Sequence, residues 1–437
     1  MDFLRIWLSS LYVVRLDGRN RFLLADPKPT GDLMGQPQNH LWALFKNDAD
    51  RERVRKLTEE AFGMSFVIDP TAMQSFRIRM SPRAPTSKSE EQGLDEKARK
   101  FHAEAQLISE LSDGVQAFVG LTSALLSLPH KIILIDEPDA FLHPPLARRL
   151  GKNLAKIADE RDASLIVATH SSEFLIGCIE SVPRAAVVRL TYDPTTGAAA
   201  ARALSPTEIS EMTSDPLLRS TDVLSALFHK AAVITESDTD RAFYDEMNQR
   251  LVDQNRGMRD TLFLNAQNMQ TISRLVQPLR RVGIAAAAIV DLDFINVQQT
   301  NWNDLLNTCG VPATSVRSLD AERTYLSTVF EAADGNPSVI KKRGIDALNS
   351  PDKAKACAFL KELEKYGIFL VPIGELESWL LHLGVTGHGS EWVVNVFSKI
   401  GKSDKDPDYL KPTTGDVWDF LDRIAAWISN PGRLGCD

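Results

Sequence analysis

From about residue 130 onward the chain alternates short runs of branched apolar residues with amphipathic stretches. KIILIDEP, LARRLGKNLAKIADE, SLIVATHS and RAAVVRL follow one another between Lys131 and Leu190. A second series opens near Lys230 with AAVITES, continues through DRAFYDEMNQRL, TLFLNAQ, MQTISRLVQPLRRVG and AAAAIVDLD, and closes with YGIFLVPIGELE. Apolar runs of about four to eight residues bounded by turn residues read as buried strands, and regular alternation with helices implies parallel sheets. The pattern predicts an α/β fold class with two successive parallel-sheet domains.

Ahead of these series, Tyr12 to Ala25 reads as a hairpin closed by the Asp17-Gly18 turn. Helical spacing runs from Leu41 to Phe62, and SFVIDP is a short strand ending at Pro70. Ser81 to Lys100 is charged and rich in Pro and Ser, which predicts a mobile surface insert. The loop-like stretch from Ser205 to Ser220 marks the domain junction. The expected organisation is a first domain over 1–215 with a polar insert near 81–100, a second over 225–395, and a helical C-terminal tail over 396–437.

Composition narrows the function classes. The 437 residues carry 50 Lys+Arg against 58 Asp+Glu, a formal charge of −8, and 43% are hydrophobic, a globular balance. A net negative chain has no global pull on nucleic acid, so any DNA contact must come from local basic patches or bound cations. Cys178, Cys309, Cys357 and Cys436 are too scattered for a zinc knuckle or a redox motif, which fits a reducing, cytoplasmic setting. Residues 3–14 are apolar but interrupted by Arg5, too short to span a bilayer and followed by no small-residue cleavage site, so neither anchor nor signal peptide is expected.

In KIILIDEP an apolar strand ends in Asp136 and Glu137, at the edge where open α/β sheets bind ligands. An Asp there can hold Mg²⁺ through water, and the following Glu can orient or deprotonate an attacking water, as nucleotide hydrolysis requires. SLIVATHS brings His170 to the same edge, within reach of a γ-phosphate. LSDGVQAF sets Ser112 and Gly114 just before an apolar helix, where a hydroxyl, bare amides and a helix N-terminus suit a phosphate. Each piece alone is more often an ordinary cap or loop; their order and spacing give the set its weight.

Together these residues resemble the ATPase heads of the ABC and SMC class: LSDGVQ the signature motif, ILIDEPDAFLHP the Walker B strand and D-loop, ATHS the switch histidine. The resemblance is close from Leu111 to Ser172 and implies a head-to-head dimer in which the signature serine of one subunit contacts ATP held by the other. No G-x-x-x-x-G-K-[ST] occurs; GDLMGQPQ and VGLTSALL lack the lysine that neutralises the β/γ-phosphates. Against that family the chain reads as N-terminally shortened, and the absent loop argues against ATP binding by this chain alone. A homodimer, or a partner subunit supplying the P-loop, is the expectation. His143, in FLHPP, either shapes the D-loop or caps the turn.

The second series gathers acids. Glu236 ends one strand with Asp240 one helical turn later, Asp291 and Asp293 end another, and Glu375 and Glu377 end a third. Strand alternation is expected to point each i, i+2 pair to one face. So many carboxylates at one edge call for hard divalent cations with oxygen ligands, Mg²⁺ or Mn²⁺, and one or two such ions suit phosphodiester hydrolysis. A single Asp-x-Asp is as often a strand terminator; three sites favour the metal. Arg274, Arg280, Arg281, Lys341, Lys342 and Arg343 are candidate phosphate contacts, although any one of them is more commonly a solvated charge. Trp302, Trp379, Trp392, Trp418 and Trp427 read as core and lid rather than base-stacking platforms.

This half resembles a TOPRIM domain, matching its acidic pattern at Glu236, Asp291 and Asp293, while Asp240 and GELE resemble the extended acidic set of the OLD family, named for overcoming lysogenisation defect. An ABC/SMC-like ATPase head, here partial, followed by a Rossmann-like TOPRIM domain is that family's architecture, over most of residues 12–390. The resemblance implies an ATP-modulated, metal-dependent DNA endonuclease with roles in phage defence and repair. It also implies a late lysine that stabilises transition-state charge, with Lys411 the candidate and Lys402 behind it. Ser237 departs from the usual glycine after the first acid. The competing reading is a non-hydrolysing dimerisation or sensing module that acts with a full-length partner. A topoisomerase would need a tyrosine nucleophile on a further domain, for which the two series leave no room.

Overall fold

The branched residues of KIILIDEP and SLIVATHS form adjacent parallel strands, as their continuous apolar character requires. A computed structural model describes residues 12–127, 129–192, 197–214, 223–334 and 339–436, and divides into two units, Met1–Ala185 and Ala186–Asp437. The fold class is mixed α/β with parallel sheets, as expected.

In the first unit β1 (Val13–Leu16) does not turn back into a hairpin. It pairs in parallel with a strand far along the chain, while Asp17 accepts the amides of Arg19 and Asn20 and a 3₁₀ turn follows at Phe22–Leu24. Its core lies between the parallel strands and a small antiparallel sheet of β2 (Lys28–Pro29), β3 (Ser65–Asp69), β4 (Ser75–Ser81) and β5 (Gln106–Leu107). The helical spacing from residue 41 resolves into two helices, His40–Lys46 and Asp48–Phe62, broken at Asn47, whose side chain caps the second.

The polar stretch 81–100 is folded rather than a loose insert. Helices Lys88–Gln92 and Glu96–Glu104 occupy it, and the buried Glu91 carboxylate accepts Arg51 Nε at 3.1 Å and an Arg55 guanidinium nitrogen at 2.8 Å. Its charge marks internal pairing, not solvation.

The parallel sheet of the first unit runs β1, β6 (Ile132–Asp136), β7 (Ser164–Ala168). Ile133 and Ile135 point into the core; Ile132 and Ile166 lie on the opposite face, with Ile166 59% exposed. Helices Pro144–Glu160 and Ser172–Ser181 follow β6 and β7 and cross at glycines. A methyl group on Gly177 would stand 2.0 Å from the Arg148 carbonyl oxygen, and one on Gly151 2.2 Å from that of Phe174.

The second unit begins earlier than the expected junction. The antiparallel pair β8 (Val187–Tyr192) and β9 (Ala199–Leu204) joins it, since Arg189 donates to the carbonyls of Leu227 and His229. Its main sheet has the order β11 (Thr261–Asn265), β10 (Ala231–Thr235), β12 (Ala285–Val290), β13 (Ile368–Leu370), every pair parallel. Residues of β10 and β12 are buried throughout, the mark of a sheet covered on both faces. The four alanines of β12 let helices approach closely. Ala285, Ala287 and Ile289 share a core with Phe243, Tyr244, Trp418 and Phe420 from helices Asp238–Asp253 and Asp416–Ser429. The segment from 396 is thus part of this core rather than a tail. Trp302, Trp379, Trp392, Trp418 and Trp427 are all buried, in line with a packing role.

The glycine crossing gives a test. Alanine is worth about 1 kcal/mol over glycine in a helix, yet a 2.0 Å contact with backbone forces the helices apart. Gly177→Ala is expected to destabilise the first unit by about 1–3 kcal/mol, read as a lower denaturant midpoint; a raised midpoint would show that the crossing has slack.

Candidate functional site

The candidate residues gather at two strand-exit edges. In the first unit β6 ends at Asp136, and Glu137 turns out of the sheet at φ 47°, a left-handed conformation uncommon for a residue with a side chain. Its amide donates to the Ala168 carbonyl at 2.8 Å, and its own carbonyl accepts the Arg21 guanidinium. Arg21 is only 3% exposed, sits against the Phe22 and Phe141 rings, and has its pKa lowered by burial, an effect opposed by Glu137, Asp139 and Asp136. His170 Nε2 stands 3.5 Å from Glu137 Oε1, and Thr169 donates to Asp139 at 2.6 Å, tying the two strand exits together.

Ser112 is exposed and Gly114 buried at the start of helix Asp113–Ser127, where a methyl group on Gly114 would meet the Phe141 carbonyl oxygen at 2.7 Å. The signature-like turn therefore packs on the loop that follows Glu137. His143 occupies the N-cap of Pro144–Glu160 through its backbone, with no side-chain capping bond.

In the second unit the parallel register sets the exits of β10, β12 and β13 along one edge. Glu236 follows β10, Asp291 follows β12, and Glu375 lies five residues beyond β13. The acids do not share a face through strand alternation, as the pattern had suggested. The chain turns into 3₁₀ helices at Leu292–Asn296 and Leu376–Ser378, so Asp293 and Glu377 are placed by those turns. Glu236 accepts the Asp291 amide at 3.1 Å. Asp240 completes a capping box with Ser237. Asp293 pairs with Lys341 Nζ at 3.0 Å, and Glu377 accepts His388 Nδ1 and the Gly389 amide, each at 2.6 Å.

The acids sense one another. Burial, with repulsion from Glu236, Asp240, Asp293 and Glu375, pushes the Asp291 carboxyl up to about 9. Burial raises Glu236 to about 7 against the pull of the Asp291 amide. Asp240 is raised by burial against its Ser237 bonds, and Glu375 by burial and Glu377. Beneath them the buried Tyr244 hydroxyl accepts Trp379 Nε1 at 3.0 Å, and its pKa is raised by burial.

An all-carboxylate set under mutual repulsion fits a hard divalent cation in its chemistry. Its present orientation does not. Among the described residues no three or more His, Cys, Asp or Glu side chains stand so as to hold a metal ion, because Glu236, Asp240, Asp293 and Glu377 are turned to donors of the protein itself.

The basic candidates differ in their surroundings. Lys411 is exposed, and the ammonium paired at the acidic edge is that of Lys341. Lys402 is likewise exposed, its amide bound to Asp406. Arg280 is buried and spends its guanidinium on the carbonyls of Ala286, Tyr366, Cys309 and Gly435, so it is structural and not a phosphate contact. Sequence reasoning missed Arg21, whose partner lies 116 residues away, and Tyr244 and His388, which no local pattern marks.

Residues 74–176, spanning Ser112, Asp136, Glu137 and His170, match the family model described as "AAA domain, putative AbiEii toxin, Type IV TA system". The chain is similar to Old nuclease of Escherichia phage P2, 24% identical over 261 residues, covering 56% of this chain and 43% of that protein. It is 40% identical over 78 residues to lipoprotein-releasing system ATP-binding protein LolD 2 of Chlorobaculum tepidum, covering 18% of this chain and 30% of that one. It is 37% identical over 82 residues to a probable amino-acid ABC transporter ATP-binding protein of Sinorhizobium fredii, covering 19% and 29%. The chain spans less than half the length of these curated relatives. Among solved structures it is similar to an Smc head bound to the C-winged helix domain of ScpA, with TM-score 0.32, 13% identity and coverage of 45% of this chain and 56% of that chain. A second is a structure from work on ATP-driven dimerization and DNA-stimulated activation of SMC ATPases, with TM-score 0.27, 14% identity and coverage of 39% and 92%. The family model and the curated relatives show that the chain carries an AAA, ABC-like ATPase-type domain. Among the described residues no helix is long and apolar enough to cross a membrane.

The raised carboxyls predict a pH signature. In an unfolded chain Asp and Glu titrate near 4, whereas folded Glu236 and Asp291 hold protons to about 7 and 9. The folded second unit is therefore favoured at low pH and loses that advantage as pH rises from about 4 through 9. With EDTA present, its unfolding midpoint should fall between pH 5 and 9, and Asp291→Asn should remove the upper part of that fall. Equal slopes in the two proteins would show that Asp291 does not carry it.

Proposed function

We propose that this protein is a metal-dependent DNA endonuclease of the OLD type, a TOPRIM-like hydrolase coupled in one chain to an ABC-like ATPase domain. The observation that carries the reading is the acidic edge, where the chain leaving three parallel strands carries six carboxylates that lie within one another's electrostatic field. The 24% identity to Old nuclease supports it. Glu236, Asp240, Asp291, Asp293, Glu375 and Glu377 would hold one or two Mg²⁺ or Mn²⁺ ions. A bound ion would supply Lewis acidity to the phosphodiester and a more acidic water. The chain's own part would be to bring the acids together over the buried Tyr244–Trp379 pair and to offer a cation to the phosphate, Lys411 in the family pattern.

In the ATPase domain, Asp136 would hold the nucleotide's Mg²⁺ through water, Glu137 would orient the attacking water, and His170 would contact the γ-phosphate. Ser112 and Gly114 would face ATP held by a second subunit, in a homodimer or with a partner that supplies the P-loop lysine. Roles in phage defence or DNA repair follow for such an enzyme. The alternative reading is a non-hydrolysing dimerisation or sensing module that acts with a full-length partner.

The deciding experiment is supercoiled-plasmid cleavage with Mg²⁺ or Mn²⁺, with and without ATP. Wild-type protein should nick the plasmid, and Asp291→Asn should be slower by at least about a hundredfold with its fold intact by circular dichroism. Undiminished cleavage by the variant removes the site assignment. No cleavage by folded wild-type protein under any condition turns the reading to the non-hydrolysing module.

A further inference from the structure

Lys341 stands where a cation is most needed. It lies on the short helix Val339–Arg343, and its ammonium reaches Asp293 at 3.0 Å within the field of Glu375 and Asp291. The helix is fixed to the strand exits from which the acids emerge. Ser378 Oγ donates to the Lys341 carbonyl at 3.3 Å, and the Ile345 amide to the Pro372 carbonyl at 2.9 Å. Gly374, at φ 112°, lies so close that a methyl group on it would stand 2.0 Å from the Lys341 carbonyl oxygen, and its own carbonyl accepts the Leu292 amide at 2.9 Å. Backbone contacts therefore join the helix carrying Lys341 to both the Asp291–Asp293 turn and the Glu375–Glu377 turn.

We propose that Lys341 is the built-in counter-ion of the acidic edge, holding Asp293 while no divalent ion is bound and releasing that carboxylate when one binds. The inference rests on the metal-dependent reading of this edge. It accounts for the orientation found: a carboxylate engaged by an ammonium is not aimed at a shared point with Glu236 and Asp291. The side chain is about half exposed (47%), so the ammonium has solvent to move into when displaced. A resident ammonium lowers the affinity for any second cation at the same carboxylates, since both draw on the same negative potential.

The test is Mn²⁺ binding to the full-length chain at one fixed pH, by electron paramagnetic resonance of free Mn²⁺, in wild type, Lys341→Met, Lys341→Arg and Asp291→Asn. Lys341→Met should bind Mn²⁺ about fivefold tighter, the order expected for one partly exposed ion pair, and Lys341→Arg should stay near wild type. Lys341→Met binding with unchanged or weaker affinity, while Asp291→Asn loses binding, would overturn the counter-ion role and leave the metal site standing. Binding absent in wild type, or untouched in Asp291→Asn, would overturn the metal reading and the counter-ion role with it.

Discussion

Electrostatic repulsion between carboxylates brought to one sheet edge governs the second unit. Two like charges about 4 Å apart cost on the order of 4 kcal/mol at an effective dielectric near 20, and this edge gathers six acids. Parallel pairing of β10, β12 and β13 sends every strand out in the same direction, and the helix and turns that follow them set the acids beside one another. The surroundings answer it piece by piece: an amide for Glu236, a capping box for Asp240, an ammonium for Asp293, an imidazole and an amide for Glu377. Asp291 is raised furthest, first by its burial and then by its carboxylate neighbours.

The two units use one topological device in different dielectrics. Both place acids where parallel strands end. In the first unit Glu137 and His170 are open to solvent, 51% and 86% exposed, and their pairing is loose. There the ordering element is a buried cation beneath the loop, Arg21, which holds the Glu137 carbonyl in a left-handed turn. Exposure suits a surface that meets a large ligand; burial suits one that must perturb its own acids.

Much of this was legible in sequence because buried parallel strands write continuous apolar runs. KIILID, SLIVA, AAVIT and AAAAIV fall on β6, β7, β10 and β12, and the acids at their ends follow directly. Pairing between distant segments was not legible. YVVRL before an Asp-Gly turn has a hairpin's local pattern, yet β1 finds its partner at Ile132. The polar stretch 81–100 looked solvated because its arginine partners lie about 40 residues upstream at Arg51 and Arg55. The i, i+2 rule failed at Asp291 and Glu375 because strand geometry ended one residue before the first and five before the second. Lys341 carried no mark distinguishing it from Lys342, since its register against Gly374 is set by tertiary contact.

The crossing of helices Pro144–Glu160 and Ser172–Ser181 has a mechanical meaning. At Gly151 and Gly177 the two backbones touch directly, and Cys178 Sγ lies 3.4 Å from the Gly151 carbonyl oxygen. At the two glycines there is no side chain between the backbones to absorb a displacement. The loop from Glu137 to His143 leads into one helix and His170–Ser171 into the other, so the carboxylate and the imidazole are mounted on a single stiff truss. A displacement of either loop is therefore expected to be felt at its neighbour.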